Sequence, residues 1–440
     1  MATSMPEVAQ ALRDVLGSCA DAAALDTGFV RRKSKLTGAA FVQTLTFGWL
    51  SKPQATLEEL AQMAAAVGVR ITPQGLDQRF TERAADCLRQ VLEIAVTRVL
   101  TADPVAIPIL RRFAAGVSLL DSTTVPLPDA LTNLWPGCGR NSGFDQAAIK
   151  LQVRLDLLQG NLSGPVLLPG RASDRKGQLQ HTPLPPGTLN LADLGFFDLD
   201  RLRALSAQSV YWLTRVQTNT RMYDSSGRVY LLPELLARQE SSAVDIPIKL
   251  GLHHRLACRL LAIRVPPAVA AQRRERMLKK ARRLSKKIDP GRWALAEWTI
   301  YATNVPASLM TLEEGLVLAR CRWQIEILFK LWKSEGRIDE SRSEKPWRIL
   351  SEIYGKLLGM VVQHWILLVT CWSHADRSLV KASRAVRSHV MHVATVLRDG
   401  QLVCRTLEII ANCLKGSCRI TKRRKEPATH QLLLSLSKAG

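Results

Sequence analysis

The sequence predicts an α/β protein in which helical regions flank a sheet-forming centre. Three observations predict it. Residues 1–105 carry apolar side chains at helical spacing, residues from about 106 onward switch to strand-like spacing, and helical spacing returns in the last hundred residues. The 440 residues amount to about three domains at ~150 residues each. A chain of this length can bury a large core, which excludes a peptide hormone or a disulfide miniprotein. Its 61 Lys and Arg against 38 Asp and Glu leave a formal charge of +23, which favours a polyanionic partner, nucleic acid above all. The nine cysteines are scattered without a C-x2-C pair, so neither a zinc ribbon nor a disulfide framework is expected and the thiols read as reduced. His253–His254 and His389-x2-His392 lack a Cys or carboxylate at ligand spacing and read as surface or core histidines.

The helical start is electrically neutral, with 11 basic and 11 acidic residues in 1–105, so the whole excess lies in 106–440. Thr56 with Glu59 is a capping-box pattern. The stretch 55–80 reads as helix, glycine turn and a second helix near Thr72-Pro73, a helix-turn-helix with Gln74, Asp77, Gln78 and Arg79 as readers of DNA, or else a plain helical hairpin. RRKSK at 31–35 is the one basic cluster there. No basic-then-apolar leader opens the chain. The apolar run 355–372 approaches membrane length, but Lys356, Gln363 and His364 within it predict a buried core helix instead, and no membrane partner is expected.

Strands are expected at 116–126, 148–158 and 161–173, forming an antiparallel meander. A strand at 188–196, a helix at 198–208 and a strand at 210–217 follow. Three antiparallel strands, then strand, helix and strand, is the order of a ribonuclease-H-like sheet. Residues 220–297 interrupt it as a β-rich insertion, with short strands at 228–232, 244–250 and 257–265. A very basic helix at 272–287 closes the insertion; residues 273–287 hold nine Lys/Arg and one acid, a phosphate clamp or a solvated face. The core resumes at 298–345 with a strand at 298–306 and a long helix at 312–336. The division is therefore 1–105 helical, 106–219 first part of the core, 220–297 insertion, 298–345 second part of the core, and 346–440 helical with a basic tail, KGSCRITKRRK, at 415–425.

Three acids carry the chemistry. Asp121 interrupts an apolar strand, where a carboxylate is costly unless it points into a site; the bland alternative is an acid bonded to the hydroxyls of Ser122 to Thr124. Asp193 ends the next buried strand, where α/β sheets place ligands, and lies too early to cap the helix at 198. On the helix CRWQIEILFKLWKSEG, the ~100° step per residue puts Arg322, Glu326, Lys330 and Lys333 on one face and Trp323, Ile327, Leu328 and Leu331 on a packing face. Three carboxylates brought together can hold two Mg²⁺ ions, and the flanking cations a phosphate. Asp174, beside Arg175 and Lys176, is the rival second acid but reads as a loop ion pair. Glu335, the rival third acid, falls on the packed side.

In these residues the chain resembles the DDE transposases of bacterial insertion sequences, specifically the insertion-sequence-four group. That group carries a Tyr-x2-Arg-x3-Glu-x6-Lys signature, matched here by Arg322, Glu326 and Lys333 within RWQIE-x2-FK; the Tyr position is Ala319, a departure. Asp121 in DST and Asp193 in ADLGFF match the first two acids, and the long gap before Glu326 matches the group's β-rich insertion. The resemblance covers roughly residues 30–370. It implies a Mg²⁺-dependent enzyme, with Mn²⁺ able to substitute, in which Asp121, Asp193 and Glu326 hold the metals. Arg322 and Lys333, with Lys330, bind DNA-end phosphates. Trp298 is either a platform for a flipped base or a core residue. It also implies double-stranded DNA as partner at transposon ends and target, cleavage through a hairpin followed by strand transfer, a homodimer in the synaptic complex, and a bacterial cytoplasmic, nucleoid-associated setting. The competing readings are another ribonuclease-H-like nuclease, such as a junction resolvase, and a catalytically inert DNA-binding descendant.

Overall fold

The N-terminal helices form where the capping signals stand. Ser4 and Thr56 each cap a helix with a reciprocal glutamate bond, Glu7 for Met5–Arg13 and Glu59 for Leu57–Ala66. The computed structural model describes residues 2–32, 34–138, 147–420 and 427–436. Lys33 of the 31–35 basic cluster, and the tail from 421 to 426, lie outside the described residues; Arg31, Arg32 and Lys35 are exposed.

The expected helix-turn-helix is only half realised. Its first helix is Leu57–Ala66, but the second, Pro73–Asp77, has five residues. At 1.5 Å per residue that is about 8 Å, shorter than the ~12 Å width of a major groove. Asp77 is committed to Lys345 at 2.9 Å and Arg348 at 2.8 Å, and Arg348 lies over the Phe80 ring. The hairpin is thus docked on the segment that leads into the helix Pro346–Thr370; Gln74, Gln78 and Arg79 remain exposed.

That 25-residue helix is the apolar run of the sequence, and 94% of its most apolar window is buried inside the protein. It packs against Gly38–Ser51 and Glu82–Val96. Gly355 is needed for this approach, since a Cβ there would come within 2.7 Å of the Trp49 ring. Its charged residues are satisfied internally. Lys356 pairs with Glu352 at 2.7 Å and donates to the Arg337 and Glu340 carbonyls at 2.9 and 2.7 Å, while His364 bonds the Gly160 carbonyl at 2.7 Å. One continuous apolar cluster runs from Val8 and Phe41 through Val153 and Leu328 to Ile366 and Leu433.

Among the described residues ten strands make one sheet: β1 Val117–Pro126, β2 Ala148–Asp156, β3 Leu162–Pro169, β4 Leu189–Ala192, β5 Tyr211–Thr214, β6 Arg221–Tyr223, β7 Val229–Leu231, β8 Ala243–Leu250, β9 Leu256–Arg264 and β10 Trp298–Thr303. Their order is β3-β2-β1-β4-β5-β10-β9-β8-β6-β7. β1, β2 and β3 are the expected antiparallel meander; β4 runs parallel to β1, and β5 parallel to β4. The strands of 220–297 do not build a sheet of their own. They prolong the central one, because β10 pairs antiparallel with both β5 and β9. A second apolar cluster, including Trp212, Met222, Leu260 and Trp298, fills this end. The basic helix, Pro267–Arg283, starts earlier than expected and buries only Ala270. Arg273 fastens it by donating to the Trp298 carbonyl at 2.7 Å and the Thr299 hydroxyl at 2.9 Å.

The single helix expected over 312–336 is two, Leu312–Cys321 and Trp323–Ser334, with Arg322 at the joint. The buried stripe of the second is Ile325, Leu328, Phe329, Leu331 and Trp332. Trp323, expected on the packing face, is 58% exposed: it opens the helix, where the joint turns it outward.

Candidate active site

Two of the three acids are placed by strand register. Leu120 of β1 pairs with Ala192 of β4, so Asp121 and Asp193 stand one step beyond the same rung of two neighbouring parallel strands. Such strand ends are where α/β sheets form sites. Helix Trp323–Ser334 packs on β1 and brings Glu326 in from the side.

All three converge on Arg322. Its Nη1 lies 3.2 Å from Asp121 Oδ2 and its Nε 3.9 Å from Asp193 Oδ1, while Nη2 bonds Glu326 Oε1. Burial pushes the Asp121 carboxyl up to about 6, and the Asp193 and Glu326 charges push the same way; the Ser122 amide, 2.8 Å from Asp121 Oδ1, and Arg322 oppose them. Burial disfavours the charged form of Arg322, but Asp193, Glu326 and Asp121 together hold it above its ordinary value.

Lys333 is on the same face and donates to the Thr124 carbonyl of β1 at 2.9 Å; Lys330 is exposed. Trp298 is not brought to the site. It is 7% exposed in the second apolar cluster, with the Arg264 guanidinium 4.9 Å over its ring, so no face is free to stack on a base. Asp174 forms the expected ion pair, but with Lys150 at 3.0 Å rather than its chain neighbours, and it accepts from Ser122 Oγ at 2.7 Å. Sequence reasoning missed Lys150. No local signal marked it, because the strand alternates apolar residues with Lys150, Gln152, Arg154 and Asp156. Glu335 is tied to Arg384 at 2.5 Å and Arg387 at 3.5 Å. His253, His254, His389 and His392 form no metal cluster; His254 bonds Asp200 at 3.0 Å.

Among the described residues no three Asp, Glu, His or Cys side chains sit close enough to share a metal ion. The acids surround a guanidinium instead. Three carboxylates around one monovalent cation leave two negative charges uncompensated, and hard oxygen donors of that charge suit a divalent cation. The chemistry of the donor set therefore suits such an ion, while in this structure Arg322 stands between the acids and they are too far apart to share one.

The architecture and this cluster define a class, and comparison with known proteins agrees: the transposase DDE domain family matches residues 112–361. The chain belongs to that family, whose members use divalent metal. Its relatives are transposases of bacterial insertion sequences. It is 24% identical over 433 residues to the transposase for insertion sequence element IS231F of Bacillus thuringiensis subsp. israelensis, covering 92% of this chain and 90% of that one. It is 27% identical to the transposase for element IS231E of Bacillus thuringiensis subsp. finitimus, over 76% and 73% of the two chains. With the transposase for element IS1151 of Clostridium perfringens it shares 24% identity over 79% and 77%.

Proposed function

We propose that this transposase cuts the ends of a DNA element and joins them to target DNA by phosphoryl transfer, with Asp121, Asp193 and Glu326 as ligands of two Mg²⁺ ions. The observation that carries it is the convergence of these acids, from two strands and a helix, on one guanidinium. The strand order β3-β2-β1-β4-β5, antiparallel then parallel, supports a ribonuclease-H-like core. Residues 220–297 are read as its insertion and 1–105 and 346–440 as its helical flanks.

When bound, the metal pair would lower the pKa of the attacking hydroxyl and offset charge on the leaving oxygen. The chain's own residues do the rest. The register of β1 and β4 fixes the backbone positions of Asp121 and Asp193 side by side, which limits the reorganisation to their side chains and Arg322. With a divalent ion held by the acids, Arg322 would be released from them and would offer a bidentate donor to a phosphate beside the scissile bond. Lys333 and Lys330 extend that cationic face along the helix. Attack of water on the end phosphate releases a 3′-hydroxyl, and attack of that hydroxyl on a target phosphate releases a new 3′-hydroxyl there. Cut-and-paste through a hairpin, with two subunits pairing two ends, is the pathway we favour.

The test incubates the protein with Mg²⁺ and DNA bearing the inverted repeats that flank its gene, beside Asp121→Ala. Nicked, hairpin and joined products from the wild type alone support the reading. Nicks without joining indicate a nuclease. Binding without products from either indicates an inert descendant, the outcome that Ala319 at the signature's Tyr position leaves open.

A further inference from the structure

The register that aligns Asp121 with Asp193 continues one strand further. Ala192 of β4 pairs with Thr214 of β5, so Arg215 stands beside the two acids, one step past the same rung. It does not join them. It faces a cavity of about 470 Å³ that adjoins the acids through Arg322 and also contains Arg320, Arg377 and His430. The size is within the ~300–1,000 Å³ of ligand sites.

The cavity's charge is one-sided. Among the described residues four arginines line it and no carboxylate does; one of the four, Arg322, is already held by the acids, which leaves Arg215, Arg320 and Arg377. Among the described residues Arg215 and Arg320 have no ion-pair partner, and both are exposed. Arg377 is bound only through neutral groups: it donates to the Trp372 and His374 carbonyls at 2.6 and 2.9 Å and lies 3.9 Å over the Trp372 ring. Its Nε and the Nδ1 of His430 are buried without a hydrogen-bond partner. Elsewhere in this chain arginines find acids, as Arg259 does with Asp245 and Arg384 with Glu335. Converging cations without counter-ions, with buried donors left over, are complementary to an anion.

We infer that this cavity is a phosphodiester subsite, in which Arg215, Arg320 and Arg377 hold the DNA strand next to the scissile phosphate. The inference rests on the transposase reading and adds to it. It places contacts on β5 and on the C-terminal region, outside the helix that carries Glu326. The arginines fix the strand's position, and the acids then act on the neighbouring phosphate.

The test measures binding of a fluorescent duplex carrying the flanking inverted repeat, by anisotropy across a salt series. It compares wild type, Arg215→Ala, Arg320→Ala and Arg98→Ala, an exposed arginine of the neutral N-terminal region. Each lost phosphate contact lowers the slope of log affinity against log salt by about 0.9. We expect that loss, with several-fold weaker binding, in Arg215→Ala and Arg320→Ala but not in Arg98→Ala, and unchanged melting temperatures. Equal slopes in all four proteins, or an equal loss in Arg98→Ala, would overturn the subsite. Competition by millimolar dAMP that the cavity variants abolish, with unchanged duplex slopes, would also overturn it by making the occupant a free nucleotide. Product formation is scored separately. A wild type that binds with the expected slope pattern but never cleaves defeats the transposase chemistry while leaving the subsite standing.

Discussion

Helix Trp323–Ser334 has an ion cluster at each end, and they are opposite in design. At its start three carboxylates share Arg322; just past its end Glu335 alone serves Arg384 and Arg387. The second cluster ties the helix to its neighbour Leu379–Val396, and its excess is a single positive charge at a partly solvated edge. The first crowds like charges at strand ends, where burial above all, with the neighbouring acids adding to it, raises the Asp121 carboxyl to about 6. A cluster built for stability pairs its charges or leaves the excess to solvent; one that keeps a larger excess of a single sign partly buried is poised for a ligand of the other sign. The buried Lys356–Glu352 pair, one to one with its remaining donors on carbonyls, is the limiting structural case.

Substitutions should separate the two kinds. The largest effect is expected from Glu326→Gln, Asp121→Asn or Asp193→Asn. Each should lower end cleavage by roughly 10³-fold or more, with the melting temperature unchanged or raised because a repulsive charge is gone. Loss of folding in these variants would place the acids among the structural pairs. Glu352→Gln should do the reverse. It strands the Lys356 ammonium in the core at a cost of about 3–5 kcal/mol, read by denaturant unfolding, while the activity per folded molecule survives.

A pH effect comes next. His364 is buried against the Gly160 carbonyl, and burial pushes its pKa down to about 4. The unfolded chain, with an ordinary histidine near 6.5, binds the proton first. Stability attributable to this residue is therefore complete above pH 6.5 and lost as pH falls towards 4, by about 3 kcal/mol. His364→Gln should flatten that part of the stability curve; an unchanged curve would mean that the imidazole is not held neutral. The smallest effect is expected from Glu335→Gln, about 1–3 kcal/mol of stability and under about twofold in cleavage. A loss of cleavage like that of Glu326→Gln would erase the distinction between the helix ends.

What could be read in advance follows the range of the forces involved. The meander, β4 and the buried helix were legible because alternation and apolar runs are local signals. The clustering of the acids was legible because a carboxylate in or at the end of an apolar strand is conspicuous, as at Asp121 and Asp193, and because Glu326 shares a helix face with cations. The continuation of the sheet through β10 was not, since pairing of β5 with β10 joins residues far apart in sequence and leaves no local period. Trp323, expected on the packing face, is exposed, and of the two readings of Trp298 its place under Arg264 fits the core one; an amphipathic ring carries no sign of which face its neighbours cover. The helix break at Arg322 left no local sign either: Arg322 meets there three acids, two of them from distant strands.

The central claim is that Asp121, Asp193 and Glu326 together hold divalent metal in competition with Arg322. Calorimetric titration of Mn²⁺ into wild type, Glu326→Gln and Arg322→Ala tests it most directly. Binding by wild type, tighter binding by Arg322→Ala and a large loss in Glu326→Gln are expected. Equal binding by all three, or none by wild type and Arg322→Ala, would contradict it.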